Sequence, residues 1–144
     1  MKAAILTQKE RFEILDIPIP AMDENDVMVR ITDCSVCNST DAKLFHGKHK
    51  LSTYPMLIGH ECTGVIYKTG RKVTRWKEGD RVLGGVFKGT DRVPAVWGGY
   101  AEYGVCNENV LLPIPDGVSL TEATLAVMLG ETLNAVQIAE VKPG

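Results

Sequence analysis

Residues able to bind a metal or move a proton gather in two short stretches of this chain. The first is Cys34-Ser35-Val36-Cys37-Asn38-Ser39-Thr40-Asp41. The second, Gly59-His60-Glu61-Cys62-Thr63-Gly64, places His60 23 positions after Cys37. Cys37, His60 and Glu61 would offer a thiolate, an imidazole and a carboxylate, a mixed donor set that suits Zn²⁺. Spacing alone also leaves a structural role open for His60, because a lone histidine beside a strand often only packs. Cys34 and Cys37 form a Cys-x-x-Cys pair, and in a redox module such thiols are activated by a lowered pKa. The βαβ context of that module is missing here, since the pair follows a strand in a strand-rich region.

The elements that must position these residues belong to an ordinary soluble chain. Its 144 residues carry 16 basic against 18 acidic side chains, a length that suits one domain. Apolar residues make up 44% and charged ones 24%, which excludes disorder over most of the chain. A pI near 5.9 with no basic run argues against a nucleic-acid surface. No apolar run approaches the ~20 residues of a membrane span. The apolar stretch Ala3-Ala4-Ile5-Leu6 is too short for a signal peptide and is expected to be a first strand. A cytoplasmic location is expected, with the four cysteines as thiols or ligands rather than disulfides. Cys62 and Cys106 are expected in the core.

Fourteen glycines and seven prolines favour strands and turns over long helices. Strands are expected at 12–17, 27–31, 64–68, 79–84, 100–105 and 110–112. A short helix is expected from Ser39 to Phe45, capped by Asn38 with Asp41 acting back on the cap, and ended by Gly47. Ser119-Leu120-Thr121-Glu122 is a capping box. Helices are expected over 121–128 and 132–140 with Gly130 between them, followed by a turn or linker at 141–144.

The pattern Gly-His-Glu-x-x-Gly-x5-Gly-x2-Val is filled at Gly59, His60, Glu61, Gly64, Gly70 and Val73. It resembles the signature of the zinc-containing alcohol dehydrogenases of the medium-chain dehydrogenase/reductase superfamily. Cys34 to Asp41 resembles the segment carrying that family's first zinc cysteine. Gly79-Asp80-Arg81-Val82 resembles its Gly-Asp-x-Val strand, and Gly98-Gly99-Tyr100-Ala101-Glu102-Tyr103 its Gly-Gly-Phe-Ala-Glu-Tyr strand. Ile114 to Ser119 and Glu122-Ala123 also fit, so the resemblance runs from Met1 to Gly144.

The resemblance implies a mainly β fold, an irregular GroES-like β-barrel with a few short helices, with 120–144 leading toward a Rossmann domain. No Gly-x-Gly-x-x-Gly fingerprint occurs in the sequence, so the 144 residues are expected to hold the catalytic half only and to be inactive alone. It further implies one catalytic zinc held by Cys37 and His60, with Glu61 as third ligand or just behind the metal. Glu131, in Gly130-Glu131-Thr132-Leu133, stands where the polyol and threonine dehydrogenase branches carry a ligand glutamate, with Thr132 replacing their proline. Ser39 aligns with the hydroxyl of the family's proton relay, with Thr40 as a stand-in and His46 or His49 as extensions. No cysteine lies between Leu83 and Trp97, so the family's structural zinc is expected to be absent, its lobe replaced by a short flexible loop. Trp76 and Trp97 flank that region and are expected to pack, or else to line a substrate pocket.

The implied reaction is NAD(P)-dependent oxidation of an alcohol, leaning toward polyols or amino-alcohols, or the reverse carbonyl reduction. NAD(P) would bind only with the missing domain, and the full-length protein would be a homo-oligomer. The competing expectations are a non-catalytic GroES-like interaction module, which has no use for this ligand set, and a zinc-free reductase relative, which generally lacks the Cys and His.

Overall fold

The computed structural model describes residues 1–140, so the turn expected at 141–144 lies outside the described residues. Among the described residues, eight strands form two antiparallel sheets. β1 (Lys2–Gln8), β2 (Arg11–Asp16) and β4 (Met56–Leu57) make one, in the order β2-β1-β4. β3 (Asp26–Ser35), β5 (Glu61–Thr69), β6 (Arg81–Leu83), β7 (Tyr103–Asn107) and β8 (Leu112–Pro113) make the other, ordered β7-β3-β5-β6-β8. The fold is mainly β, as expected, but the sheets do not close into one barrel. A bridge between Ala3 and Ala101 links β1 to the segment before β7.

Alternation decides which faces are buried. Ala3 and Ile5 point one way from β1 into a cluster with Leu57 and Val93. Leu6 points the other way, packing with Met56, Ile58 and Leu44. Leu44 is wholly buried and anchors the short helix α1 (Thr40–Phe45). Under the larger sheet lie Val27, Val29, Cys62, Ile66, Val82, Cys106 and Leu111, with Val73 of the glycine-histidine motif packed at the edge. Gly64 sits where β5 crosses β3 so closely that a Cβ would run into the Arg30 carbonyl.

The cysteine-free loop between β6 and β7 is held down, contrary to the flexibility expected of it. Phe87 fills the core of the larger sheet at 3% exposure, and such burial contributes roughly 1.5–3 kcal/mol. The Phe87 and Lys88 amides donate to the carbonyls of Trp97 and Val105 at 2.8 and 2.7 Å. Lys88 Nζ meets Asp23 and the buried Asp26 at 2.6 and 2.5 Å.

Three details of the helices depart from expectation. Asn38 does not cap α1; Ser39 holds the cap position, without a side-chain cap bond. The Asp41 carboxylate accepts from the Cys37 amide and the Tyr100 hydroxyl instead of acting back on the cap. Past α2 (Leu120–Ala123), whose Ser119/Glu122 capping box is present, α3 runs unbroken from Ala126 to Ile138. Gly130 does not interrupt it, because a glycine in a helix costs only about 1 kcal/mol and ends it only when the backbone turns left-handed.

Candidate metal centre

Antiparallel pairing closes the gap between the two motif stretches. Ser35, the last residue of β3, lies opposite Glu61, the first of β5. The loop leaving β3 therefore carries Cys37 to the place where His60 and Glu61 enter the sheet. The thiol of Cys37, a ring nitrogen of His60 and a carboxylate oxygen of Glu61 all lie within 4.8 Å of one another. Gly59 makes the approach possible, with φ at +101° and no room for a Cβ, which would sit 2.6 Å from Tyr100 Cδ1.

A buried carboxylate stands behind this cluster. Asp41 is 4% exposed, and its Oδ2 accepts from the Cys37 amide at 3.0 Å and from the Tyr100 hydroxyl at 2.6 Å. Its Oδ1 lies 3.6 Å from His60 Nδ1, and both atoms are buried without a hydrogen-bond partner. His60 Nε2 faces Glu61 Oε1 at 3.8 Å. The ring thus presents Nε2 to the donor cluster and Nδ1 to Asp41. The Thr40 amide donates to Cys37 Sγ at 3.4 Å. Burial, then the bond to Asp41, hold the Tyr100 hydroxyl above its ordinary pKa, so it stays a donor.

Sequence reasoning missed Asp41 and Tyr100 as parts of the site. A signal for Asp41 was present: a carboxylate four residues beyond Cys37 can reach back to its amide. Tyr100 gives no local signal, since it arrives from 59 positions away. Its segment pairs with the extended stretch just before His60, through amide bonds from Gly99 to the Gly59 carbonyl and from Tyr100 to the Ile58 carbonyl at 2.8 and 2.9 Å. The same segment lays the Trp97 ring 4.9 Å from the His60 ring. Trp76 instead donates from its ring nitrogen to the Glu108 carbonyl at 2.7 Å, away from the site.

A cavity of about 550 Å³ opens over the cluster, lined by Cys37, Glu61, Ser39, Leu125, Met128 and Glu131 among others. α2 orients its far wall. Thr63 Oγ1 donates to the Leu120 carbonyl at 2.8 Å, Thr121 Oγ1 to Asp33 at 2.7 Å, and the Ser35 and Thr124 hydroxyls meet at 2.6 Å. Those bonds set where α3 starts, and hence that Glu131 faces the cavity. Glu131 is exposed and is not among the three clustered donors. Ser39 is exposed on the rim. His46 pairs with Glu10 at 2.8 Å, and His49 accepts from the Leu51 amide at 3.2 Å; neither joins the cluster.

The thiols separate by environment. Cys34 lies across from Cys62 in the β3–β5 ladder. The hydrogen bond with Cys62, then burial, push the Cys34 thiol well above its ordinary pKa. That is the reverse of what a redox Cys-x-x-Cys requires. Burial pushes Cys106 up to about 12. Cys37 alone faces the cavity.

Can this pocket accept zinc? The donors are one sulfur, one nitrogen and one oxygen, the number that catalytic zinc sites take from protein while keeping a position open. The orphaned, buried Nδ1 of His60 beside a buried carboxylate is the outer-shell pairing that orients a ligand imidazole. The residues fit the metal.

Comparison with known proteins places these features in a family. Residues 23–116 match the alcohol dehydrogenase GroES-like domain. An alcohol dehydrogenase of Geobacillus stearothermophilus is 34% identical, matching all of this chain and 49% of its own length. A sorbitol dehydrogenase of Bacillus subtilis is 26% identical over the whole chain and 47% of its own length. The crystal structure of 2R,3R-butanediol dehydrogenase from Bacillus subtilis superposes with a TM-score of 0.82 at 25% identity, covering 99% of this chain and 48% of that one. The chain thus spans about half the length of these relatives. A matched region that contains the Cys37 loop, the His60 turn and every strand of the larger sheet settles the lineage: this chain belongs to the alcohol dehydrogenase family, through its GroES-like domain.

Proposed function

We propose that these residues form the zinc-binding, alcohol-side half of an NAD(P)-dependent alcohol dehydrogenase. The observation that carries this reading is the convergence of the Cys37, His60 and Glu61 donors within 4.8 Å beneath an open cavity. Zinc, when bound, supplies a Lewis acid for an alcohol or carbonyl oxygen. Cys37, His60 and Glu61 would hold it, with Glu131 adding a carboxylate from α3. Asp41 fixes the Cys37 backbone and keeps the His60 ring turned with Nε2 toward the cluster. Ser39 Oγ, on the cavity rim, passes the alcohol proton toward solvent.

Hydride transfer needs a nicotinamide held against the reacting carbon. No dinucleotide-binding fingerprint occurs in the sequence, so on this reading the 144 residues alone turn over no alcohol. NAD(P) would be held by a separate nucleotide-binding domain. Glu131 is the feature that favours a polyol or amino-alcohol.

Elemental analysis of protein purified without chelator tests the metal reading. About one zinc per chain is expected, lost in Cys37→Ser and kept in Cys34→Ser. A chain that takes up no zinc even after zinc is added back would instead be a binding module or a zinc-free reductase relative. Equal losses in the two variants would point to the cysteine pair acting as a unit.

A further inference from the structure

Trp97 stands where the backbone favours a small residue. Its φ is +71°, and that of Gly98 after it is +81°. Two left-handed residues in succession turn the chain back on itself. Before them the Val96 amide donates to the Leu57 carbonyl at 2.7 Å, and after them the Gly99 amide donates to the Gly59 carbonyl at 2.8 Å. The turn is thus pinned on both sides to the stretch that ends at His60. Glycine makes such a turn at no steric cost, whereas a bulky side chain at positive φ strains it. Strain of this kind persists only where the surrounding structure over-determines it, and it gathers at functional sites.

The turn delivers the indole to one place. Its ring lies 4.9 Å from the His60 ring, centroid to centroid, with the planes tilted by 47°. We propose that Trp97 is a positioning residue for His60: the indole covers the imidazole and holds its plane, so that Nε2 stays aimed at the Cys37 and Glu61 donors. The proposal rests on the reading of Cys37, His60 and Glu61 as a metal site.

The other contacts of the ring leave work for a second holder. Asp41 Oδ1 approaches Nδ1 at 3.6 Å, longer than a good hydrogen bond. Glu61 Oε1 lies 3.8 Å from Nε2. Both act on the edge of the imidazole, and the torsion that rocks its plane has broad minima. A flat group laid on the ring restricts that torsion. The indole is itself anchored, for it packs against the cluster of Leu6, Leu44, Met56 and Ile58. Its backbone is held as well, since the Trp97 carbonyl accepts from the Phe87 amide at 2.8 Å. A rigid connection therefore runs from the core through Trp97 to the imidazole.

The test compares the native chain with Trp97→Phe, which keeps a flat ring, and Trp97→Leu, which keeps apolar bulk without one. The ring nitrogen signals of His60, recorded by NMR on the metal-free chain, read whether the imidazole holds one tautomer. Zinc affinity is read by competition with a chelator. The native chain and Trp97→Phe are expected to show one tautomer, protonated at Nδ1, and Trp97→Leu a mixture. Zinc affinity should fall about two- to tenfold in Trp97→Leu, the worth of an aromatic pair, and recover in Trp97→Phe. Trp97→Met, whose flexible side chain fills irregular gaps, takes the place of Trp97→Leu if leucine disturbs folding. A residue that only packs would shift the unfolding midpoint and leave the His60 signals alone. Native His60 signals in the flat-ring-free variant, zinc affinity equal to that of the native chain, or no recovery in Trp97→Phe would overturn the proposal. A native chain that takes up no zinc yet keeps one His60 tautomer, lost in Trp97→Leu, upholds the role of Trp97 and defeats the metal site. Zinc bound equally well by the native and leucine chains defeats the role of Trp97 alone.

Discussion

Asp41 shows how one residue can satisfy a local rule on paper and a long-range one in the fold. In the first turn of a short helix, an aspartate is expected to act back on the cap. The structure instead spends one carboxylate oxygen on the Cys37 amide and Tyr100, and turns the other toward His60. The donors themselves were legible through the Gly-His-Glu motif and the Cys37 segment, whose resemblance to the zinc-containing family singles them out where spacing alone left a structural role open. Their support was not, because half of it arrives from the segment around Tyr100. Asp41 does not touch the metal, so its removal should weaken binding rather than abolish it. Asp41→Ala is expected to lower zinc affinity about 10–100-fold, the usual cost of losing an outer-shell partner. Competition with a zinc chelator measures this. An unchanged affinity would show that the 3.6 Å approach to His60 has no role in the site.

At the scale of elements, strand existence followed from β-branched runs, whereas register and loop docking did not. The pairing of Ser35 with Glu61 is a property of two strands together, and no single stretch announces it. The loop that lacks cysteines looked free because it is rich in glycine. It is held instead by Phe87 in the core and by Lys88 between two carboxylates. Gly130 likewise suggested a break, but helix propensity is a weak signal and α3 continues through it. Bonds to Asp23, then Asp26, raise the Lys88 pKa above its ordinary 10.5. Folding therefore strengthens the protonated form. Its contribution is whole below pH 10.5 and fades as pH climbs through the higher folded value. Denaturant midpoints should accordingly fall on the alkaline side in the native chain. Lys88→Met should be less stable at neutral pH, because Asp26 stays buried without its cation, and should show a weaker alkaline fall. Matching alkaline profiles would mean that this ion pair does not fasten the loop.

Across the whole molecule, stability is unevenly spread, and Glu131 stands on the least supported part. None of the residues of α3 is buried, and Leu129, Leu133 and Ile138 are more than half exposed. No helix among the described residues is long and apolar enough to cross a membrane, so that exposure is not explained by a span. A helix of 13 residues that packs on the core only near its start, through Ala126, is marginal in water. Its amides should exchange with solvent through local opening, while those of β3 and β5, joined along most of their length over a continuous core, should wait for global unfolding. Zinc makes this unevenness a probe of the ligand set. If only Cys37, His60 and Glu61 bind the metal, zinc slows exchange in the loop after β3 and the start of β5, and α3 is untouched. If Glu131 adds its carboxylate, the metal ties α3 to the sheet and protection spreads along the helix. The second result is expected, because Glu131 lines the same cavity as Cys37 and Glu61. Glu131→Gln should then remove the added protection of α3 while leaving that of the Cys37 loop. Zinc that protects the loop alone, in both the native chain and the variant, would take Glu131 out of the metal centre and with it the basis for a polyol preference.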